Sequence, residues 1–232
     1  MGKGDGGARG EAGPVTLEAV RADKEVGILI LKADQNLERL GYTEHGTRHA
    51  GMVAAVAHDI LTRLGRPPRQ AELAAISGYL HDVGNGVNRN DHGNVAALIA
   101  YRVLERLGMP ADEYVEVMCA IGNHEEEHGE PVSDLAAAVI LADKSDVHES
   151  RVREMDPALY DVHDRVNHAA HRSRLSVDAA ARTITLELEI DTEATTVMEY
   201  FEIFLERMVM CRRAAESLGC RFGLVVNNTT MY

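Results

Sequence analysis

The chain has no apolar run long enough to span a membrane, and its first residues lack the basic-then-apolar order of a signal peptide. Cysteine is scarce: Cys119, Cys211 and Cys220 are an odd number, widely spaced, and no CxxC pair occurs. This excludes zinc ligation by paired sulfurs and fits reduced thiols better than a disulfide framework. Basic residues are in deficit, 24 against 37 acidic, giving a formal charge of −13. A surface that coats nucleic acid needs Lys and Arg to neutralise phosphates, so the balance argues against that partner. A small phosphate ester remains within reach if bound cations supply local positive charge. The expectation is a soluble, cytoplasmic protein with no membrane partner, whose 232 residues suffice for a full hydrophobic core without staples.

What is present begins with glycine. Residues 1–14 hold six glycines and almost nothing apolar, which predicts a disordered tail. Thr16 then caps a predicted helix from Leu17 to Leu40, stopped by Gly41. A second helix runs to Leu64, and at the helical period His49 shares its inward face with Val53, Val56 and Ile60. His58-Asp59 lies about 180° round that helix from His49 and is expected to face solvent. After Pro67-Pro68 a helix ends at His81-Asp82, where Gly84 and Asn85 break the apolar run, and His92 opens the next helix. His124 shares a face with Val117, Ala120 and Ile121. Asp143 lies with Ala136, Val139 and Ile140 on the helix that begins near Ser133.

The pattern changes toward the C-terminus. Residues 155–172 are polar and carry a third His-Asp pair, His163-Asp164, better suited to capping or surface pairing. Leu175–Val177 and Thr183–Ile190 alternate with period two as a β-hairpin. Thr196 and Glu199 form a capping box for a helix with Val197, Phe201, Leu205, Met208, Ala215 and Leu218 inward, and Phe222–Val226 reads as a last strand. The fold class is therefore mainly α: a helical bundle over 15–172 with a small α+β (ββαβ) appendage over 173–232. The Met and Phe stripe of that appendage suits a core or a homodimer interface.

His49, His81, Asp82, His124 and Asp143 thus sit on or beside inward faces of separate helices, with His92 at a helix start. One buried histidine has a bland explanation, a bond to a backbone carbonyl. Several imidazoles and carboxylates from different helices make a site for divalent metal. An aspartate can bridge two ions, and such a pair polarises a phosphoryl oxygen and produces hydroxide at neutral pH.

The ordered set His49, His81-Asp82, His92, His124 and Asp143 resembles the HD superfamily of metal-dependent phosphohydrolases over roughly residues 41–150. Arg48-His49, Asp91-His92-Gly93, Ile121-Gly122-Asn123-His124 and Ala142-Asp143-Lys144 resemble more closely its symmetrical diadenosine tetraphosphate hydrolases. The resemblance implies an HD-domain bundle in which His49, His81, Asp82 and Asp143 hold one ion, with Asp82 bridging to a second held by His92 and His124. It implies two divalent ions, from among Fe, Mn, Co and Mg, and a small, phosphorylated, nucleotide-like substrate cleaved by a metal-bound hydroxide. The chain departs from those hydrolases in carrying Asn85 where they often have lysine, and in a shorter spacing from Asp82 to His92.

Candidate substrate contacts are His45, Arg48, Lys144 and Arg151, each able to donate to phosphate. His45 and Lys144 join Asp82 as the candidate catalytic residues, and Asp146 is placed to orient a ligand. Three rival readings remain. His124-Glu125-Glu126-Glu127-His128 spells HExxH, but the glycines and proline around it deny it the continuous helix a zinc peptidase needs. The HD superfamily also includes diiron oxygenases with the same ligand order, and a metal-stabilised ligand sensor would need no chemistry.

Overall fold

The protein is described by a computed structural model over residues 14–153, 156 and 159–232. The expected N-terminal tail lies outside the described residues except for Pro14. Among the described residues no helix is long and apolar enough to cross a membrane.

Among the described residues, seven α-helices precede a mixed segment. They are α1 (Leu17–Ala22), α2 (Lys24–Arg39), α3 (Thr47–Arg63), α4 (Pro68–Leu80), α5 (His92–Arg106), α6 (Ala111–Gly122) and α7 (Asp134–Lys144). The single helix expected over 17–40 is two. Asp23 adopts an extended backbone (φ −74°, ψ 125°), and its carboxylate accepts from the N–H groups of Glu25 and Val26. An aspartate that satisfies those orphan donors favours a fresh start over continuation.

Two helices are central because their sequences leave no polar face. Every residue from Leu135 to Lys144 of α7 is buried, and so is every one from Leu73 to Leu80 of α4. Such a helix must be enclosed on all sides. The remaining helices have one apolar stripe and pack outside, α3 against both α4 and α7, and α6 against α5. Gly78 lets α4 approach α3 closely, since a Cβ there would lie 3.1 Å from the backbone of Val53 and Ala54.

The chain then forms α8 (Val162–Ala169), β1 (Ala170–Asp178), β2 (Thr183–Ile190), α9 (Val197–Ser217), β3 (Arg221–Val226) and β4 (Thr229–Thr230). Helix α8 falls in the polar stretch whose sequence carries no apolar periodicity. Its cap is Asp161, which accepts from the N–H of Asp164, so His163-Asp164 occupies the first turn. The sheet has strand order β1-β2-β3-β4, with β1/β2 and β3/β4 antiparallel and β2/β3 parallel. Parallel neighbours require a crossover, and α9 is that crossover. Ile184, Leu186 and Leu188 of β2 pair with Phe222, Leu224 and Val226 of β3 along one buried face. β4 went unread because it has two residues; Asn227 and Asn228, both at positive φ (49° and 63°), make the tight turn that leads into it.

The orientation of α9 also differs from expectation. Met208, Ala215 and Leu218 are buried as expected, but Tyr200, Phe204 and Cys211 are buried with them, whereas Leu205 is exposed and Phe201 half-buried. Helix α9 packs against α7 as well as the sheet, and α7 turns the buried stripe one residue away from the stripe marked by Phe201 and Leu205.

Candidate metal centre

Every candidate ligand lies at or near a helix terminus, and these termini meet at one end of the bundle. His49 is in the first turn of α3, His81 follows the last residue of α4, His92 is the first residue of α5, His124 follows α6, and Asp143 is in the last turn of α7. Local sequence explains each. The backbone of Asp82 stays near-helical and leads into a 3-10 turn over Val83–Gly86. That turn presses against α5 so closely that a Cβ on Gly84 would collide with the carbonyl of His92. Glycine therefore permits the short spacing that brings Asp82 and His92 together.

The side chains of His49, His81, Asp82, His92, His124 and Asp143 are all buried. Asp82 faces two ways. Its Oδ2 is 3.3 Å from Nε2 of His81 and 3.5 Å from Nε2 of His49, while Oδ1 is 3.2 Å from Nε2 of His92 and 3.8 Å from Nε2 of His124. Asp143 Oδ1 adds a third oxygen, 3.3 Å from His49 Nε2 and 3.6 Å from His81 Nε2.

The far ring nitrogens fix the tautomers. Nδ1 of His81, His92 and His124 bonds to the carbonyls of Gly78 (2.8 Å), Arg89 (3.1 Å) and Ile121 (2.7 Å), and Nδ1 of His49 to Asp146 Oδ2 (2.7 Å). Each Nδ1 therefore carries the donated proton, and the Nε2 lone pairs point inward. They approach in pairs, His49 to His81 at 3.3 Å and His92 to His124 at 3.2 Å. Lone pairs turned on one another beside carboxylates require positive charge between them. Three overlapping sets, His49/His81/Asp82, His81/His124/Asp143 and Asp82/His92/His124, have donor atoms close enough to hold an ion. Nitrogen and oxygen donors without sulfur suit a hard or borderline divalent metal. The Arg89 guanidinium also borders the centre: its Nη1 lies 3.3 Å from His92 Nε2 and 3.2 Å from Asn85 Oδ1.

Protonation reflects the same demand. Burial alone would lower the pKa of His81, but Asp82 and Asp143 raise it to about 10. Burial would raise both aspartates; His81 with its neighbouring histidines holds Asp82 well below the carboxylate range, and Lys144 with His49 and His81 does so for Asp143. Burial, with the positive charge of His81, His92 and Lys144, lowers His124 to about 4.

Around this centre lies a chamber of about 410 Å³, whose lining includes Asp82, His92, His124 and Asp143 together with the cations Lys144, Arg151, Arg89 and Arg207. Of the candidate substrate contacts, Lys144 and His45 line it. Lys144 Nζ is 2.7 Å from Asp143 Oδ2 and 3.1 Å from Glu126 Oε1. His45 Nδ1 bonds to the Thr43 carbonyl (2.7 Å) and its Nε2 to Arg151 Nη2 (2.8 Å), so both ring nitrogens are taken. Burial and the Arg151 charge lower its pKa well below the usual value. Arg151 lines the chamber too, but it is buried and donates to the carbonyls of Asp146 and Glu44. Arg48 is not part of the lining; its guanidinium is held by Glu44 and Asp146. Arg89, Glu126 and Arg207 were missed. Arg207 had no sequence signal, because α9 reaches the chamber only through packing on α7.

The spare motifs lie elsewhere. His58 is exposed, and Asp59 pairs with Arg63 on the surface. The HExxH segment is a turn beyond α6, and the His128 side chain is 73% exposed. Glu125 accepts from the N–H of Gly93 and lies 3.2 Å from His92 Nδ1, buttressing α5.

The family model of the HD domain matches residues 47–147, the segment that supplies all six buried ligand candidates. The chain contains an HD domain. Ribonuclease Y of Lawsonia intracellularis (strain PHE/MN1-00) is 32% identical to it over 105 residues, 45% of this chain and 19% of that protein. Uncharacterized protein MJ1020 of Methanocaldococcus jannaschii is 28% identical, over 67% of this chain and 68% of that protein. The chain thus spans about a fifth of ribonuclease Y and about two thirds of MJ1020. The HD-domain match ends near Val147, before the mixed sheet begins.

Proposed function

We propose that this HD-domain protein is a metal-dependent phosphohydrolase that cleaves a phosphoester or phosphoanhydride of a small, nucleotide-like molecule. The observation that carries the reading is the two-faced Asp82, with one oxygen toward His49 and His81 and the other toward His92 and His124. In this reading Asp82, His49, His81 and Asp143 would hold one ion, and Asp82, His92 and His124 would hold a second. Divalent ions held there would polarise a phosphoryl oxygen and make water a competent nucleophile at neutral pH.

The chain's own groups do the rest. Asp146 holds His49 by its Nδ1–H and keeps the ring aimed at the centre. Lys144, with its pKa raised by Asp143 and Glu126 against the effect of burial, stays charged and presents its ammonium to phosphate. His45 remains neutral and holds Arg151 against the chamber wall, while Arg48 acts through Asp146. The net charge of −13 supports a small substrate over a polymeric nucleic acid.

The test is metal analysis of the purified protein, then a screen of phosphoesters and nucleotides with Mn, Fe, Co and Mg. Hydrolysis dependent on added metal is expected. Oxygen uptake by an iron-loaded protein without phosphate release would replace this reading with an oxygenase, and tightly bound metal without any turnover would replace it with a ligand sensor.

A further inference from the structure

A second chamber of about 440 Å³ adjoins the first, and the two share Tyr42, His45, Arg89, Glu126, Arg151 and Arg207 as a common wall. That wall has three arginines in a protein of net charge −13. Arg207 comes from α9, outside the HD-domain match. Its guanidinium stacks over the Phe204 ring, 4.6 Å from the centroid, which fixes its direction. Among the described residues its one ion pair is to Glu126 Oε1, at 2.8 Å. The same oxygen is 3.1 Å from Lys144 Nζ. Glu126 lies on the turn between α6 and α7, outside any helix or strand. A single carboxylate oxygen thus bridges a cation at the metal centre and a cation from the C-terminal unit, as an anionic group of a ligand would.

The second chamber is also lined by Asp161, His163 and Asn167, from α8 and its cap. Asn167 is buried; its Nδ2 donates to the His163 carbonyl, and among the described residues its Oδ1 has no hydrogen-bond partner. A buried acceptor without a partner is costly, and here it borders a space large enough for the remainder of a ligand.

We propose that Arg207 and Lys144 form a second anion-binding subsite, closed by Glu126 in the free protein, that selects compounds carrying another anionic group beside the phosphate at the metal centre. The inference rests on the proposed phosphohydrolase reading for the position of that first phosphate. An incoming dianion displaces Glu126 and takes its two cations, while the uncharged part of the compound enters the second chamber.

The experiment is calorimetric and needs no turnover. The protein as purified, in excess Mg²⁺, is titrated with methylenediphosphonate and with methylphosphonate, which differ in the second anionic group. Methylenediphosphonate should bind at least about tenfold more tightly. Arg207→Ala should remove most of that advantage and Arg207→Lys restore part of it. Glu126→Gln, which frees both cations, should tighten methylenediphosphonate severalfold, a gain that mere structural damage would not produce. Equal affinity for the two ligands, no binding of either, or an unchanged ratio in Arg207→Ala overturns the subsite. Absence of phosphoester hydrolysis with the ratio and its Arg207 dependence intact would instead overturn only the phosphohydrolase reading.

Discussion

Asp146 accepts a 2.7 Å hydrogen bond from Nδ1 of His49, and the same carboxylate takes Nη1 and Nη2 of Arg48 at 3.3 and 2.8 Å. Neither Asp146 nor Arg48 faces the metal centre, yet together they determine which nitrogen of His49 does. Asp146→Asn keeps the shape and removes the charge, so metal affinity should fall about 10- to 100-fold while the fold is retained. Competition with a chelator measures this, and unchanged affinity would remove Asp146 from the supporting set.

Asp82→Ala deletes a carboxylate whose two oxygens face both histidine pairs. Metal occupancy should be lost, and with it activity, by roughly a thousandfold, the equivalent of several kcal/mol of transition-state stabilisation. His58→Ala changes the same dipeptide on an exposed face and should alter stability by less than about 0.5 kcal/mol. Metal content and turnover of the two variants separate a site from a repeated dipeptide; full turnover in Asp82→Ala would sink the mechanism.

Asp23 ties the start of α2 to Arg106 at the end of α5, 2.9 Å away. Asp23→Ala should cost about 1 kcal/mol from the lost cap. The Arg106 hydrogen bond, with the backbone N–H groups of Val26 and Glu25, holds the Asp23 carboxyl below its ordinary value against a smaller effect of burial. A carboxyl with a lower pKa in the folded state stabilises it above the unfolded value, and that contribution disappears as pH falls through the folded value. The stability difference between wild type and Asp23→Ala should therefore be full near neutral pH and shrink on acidification. Denaturant titrations across the acid range measure it, and a constant difference down to about pH 2 would contradict the assignment.

The three cysteines differ in access. Cys119 is exposed, whereas Cys211 and Cys220 are buried, and burial pushes the Cys211 thiol up to about 12. A disulfide reagent at about pH 8 should modify Cys119 in the native protein and the other two only after denaturation. Rapid modification of Cys211 in the native protein would show that α9 separates from α7 in solution.

His49 was legible because a helix of period 3.6 turns local spacing into a face, which it shares with Val53 and Ile60; the same count placed His124 with Val117 and Ile121, but α6 ends at Gly122 and His124 lies buried just beyond it. Helix ends were legible for the same reason. Gly84-Asn85 ends one run, and Ser133 caps the next helix by accepting from the N–H of Ala136. Local propensity misled where a short-range competitor intervened, as at Asp23, or where two partners contend for one helix, as in α9.

The sequence by itself determined that His49, His81, Asp82, His124 and Asp143 would lie on or beside inward helix faces, with His92 at a helix start, since residue type and periodicity are properties of the chain. Tertiary structure decided which oxygen of Asp82 meets which histidine pair, that Asp146 supports His49, and that Arg207 meets Glu126 and Lys144. His49 and Asp146 are 97 residues apart along the chain, and Arg207 lies on α9, outside the HD-domain match. Their meeting depends on how α7 and α9 pack, and packing is a property of the whole core rather than of any local pattern.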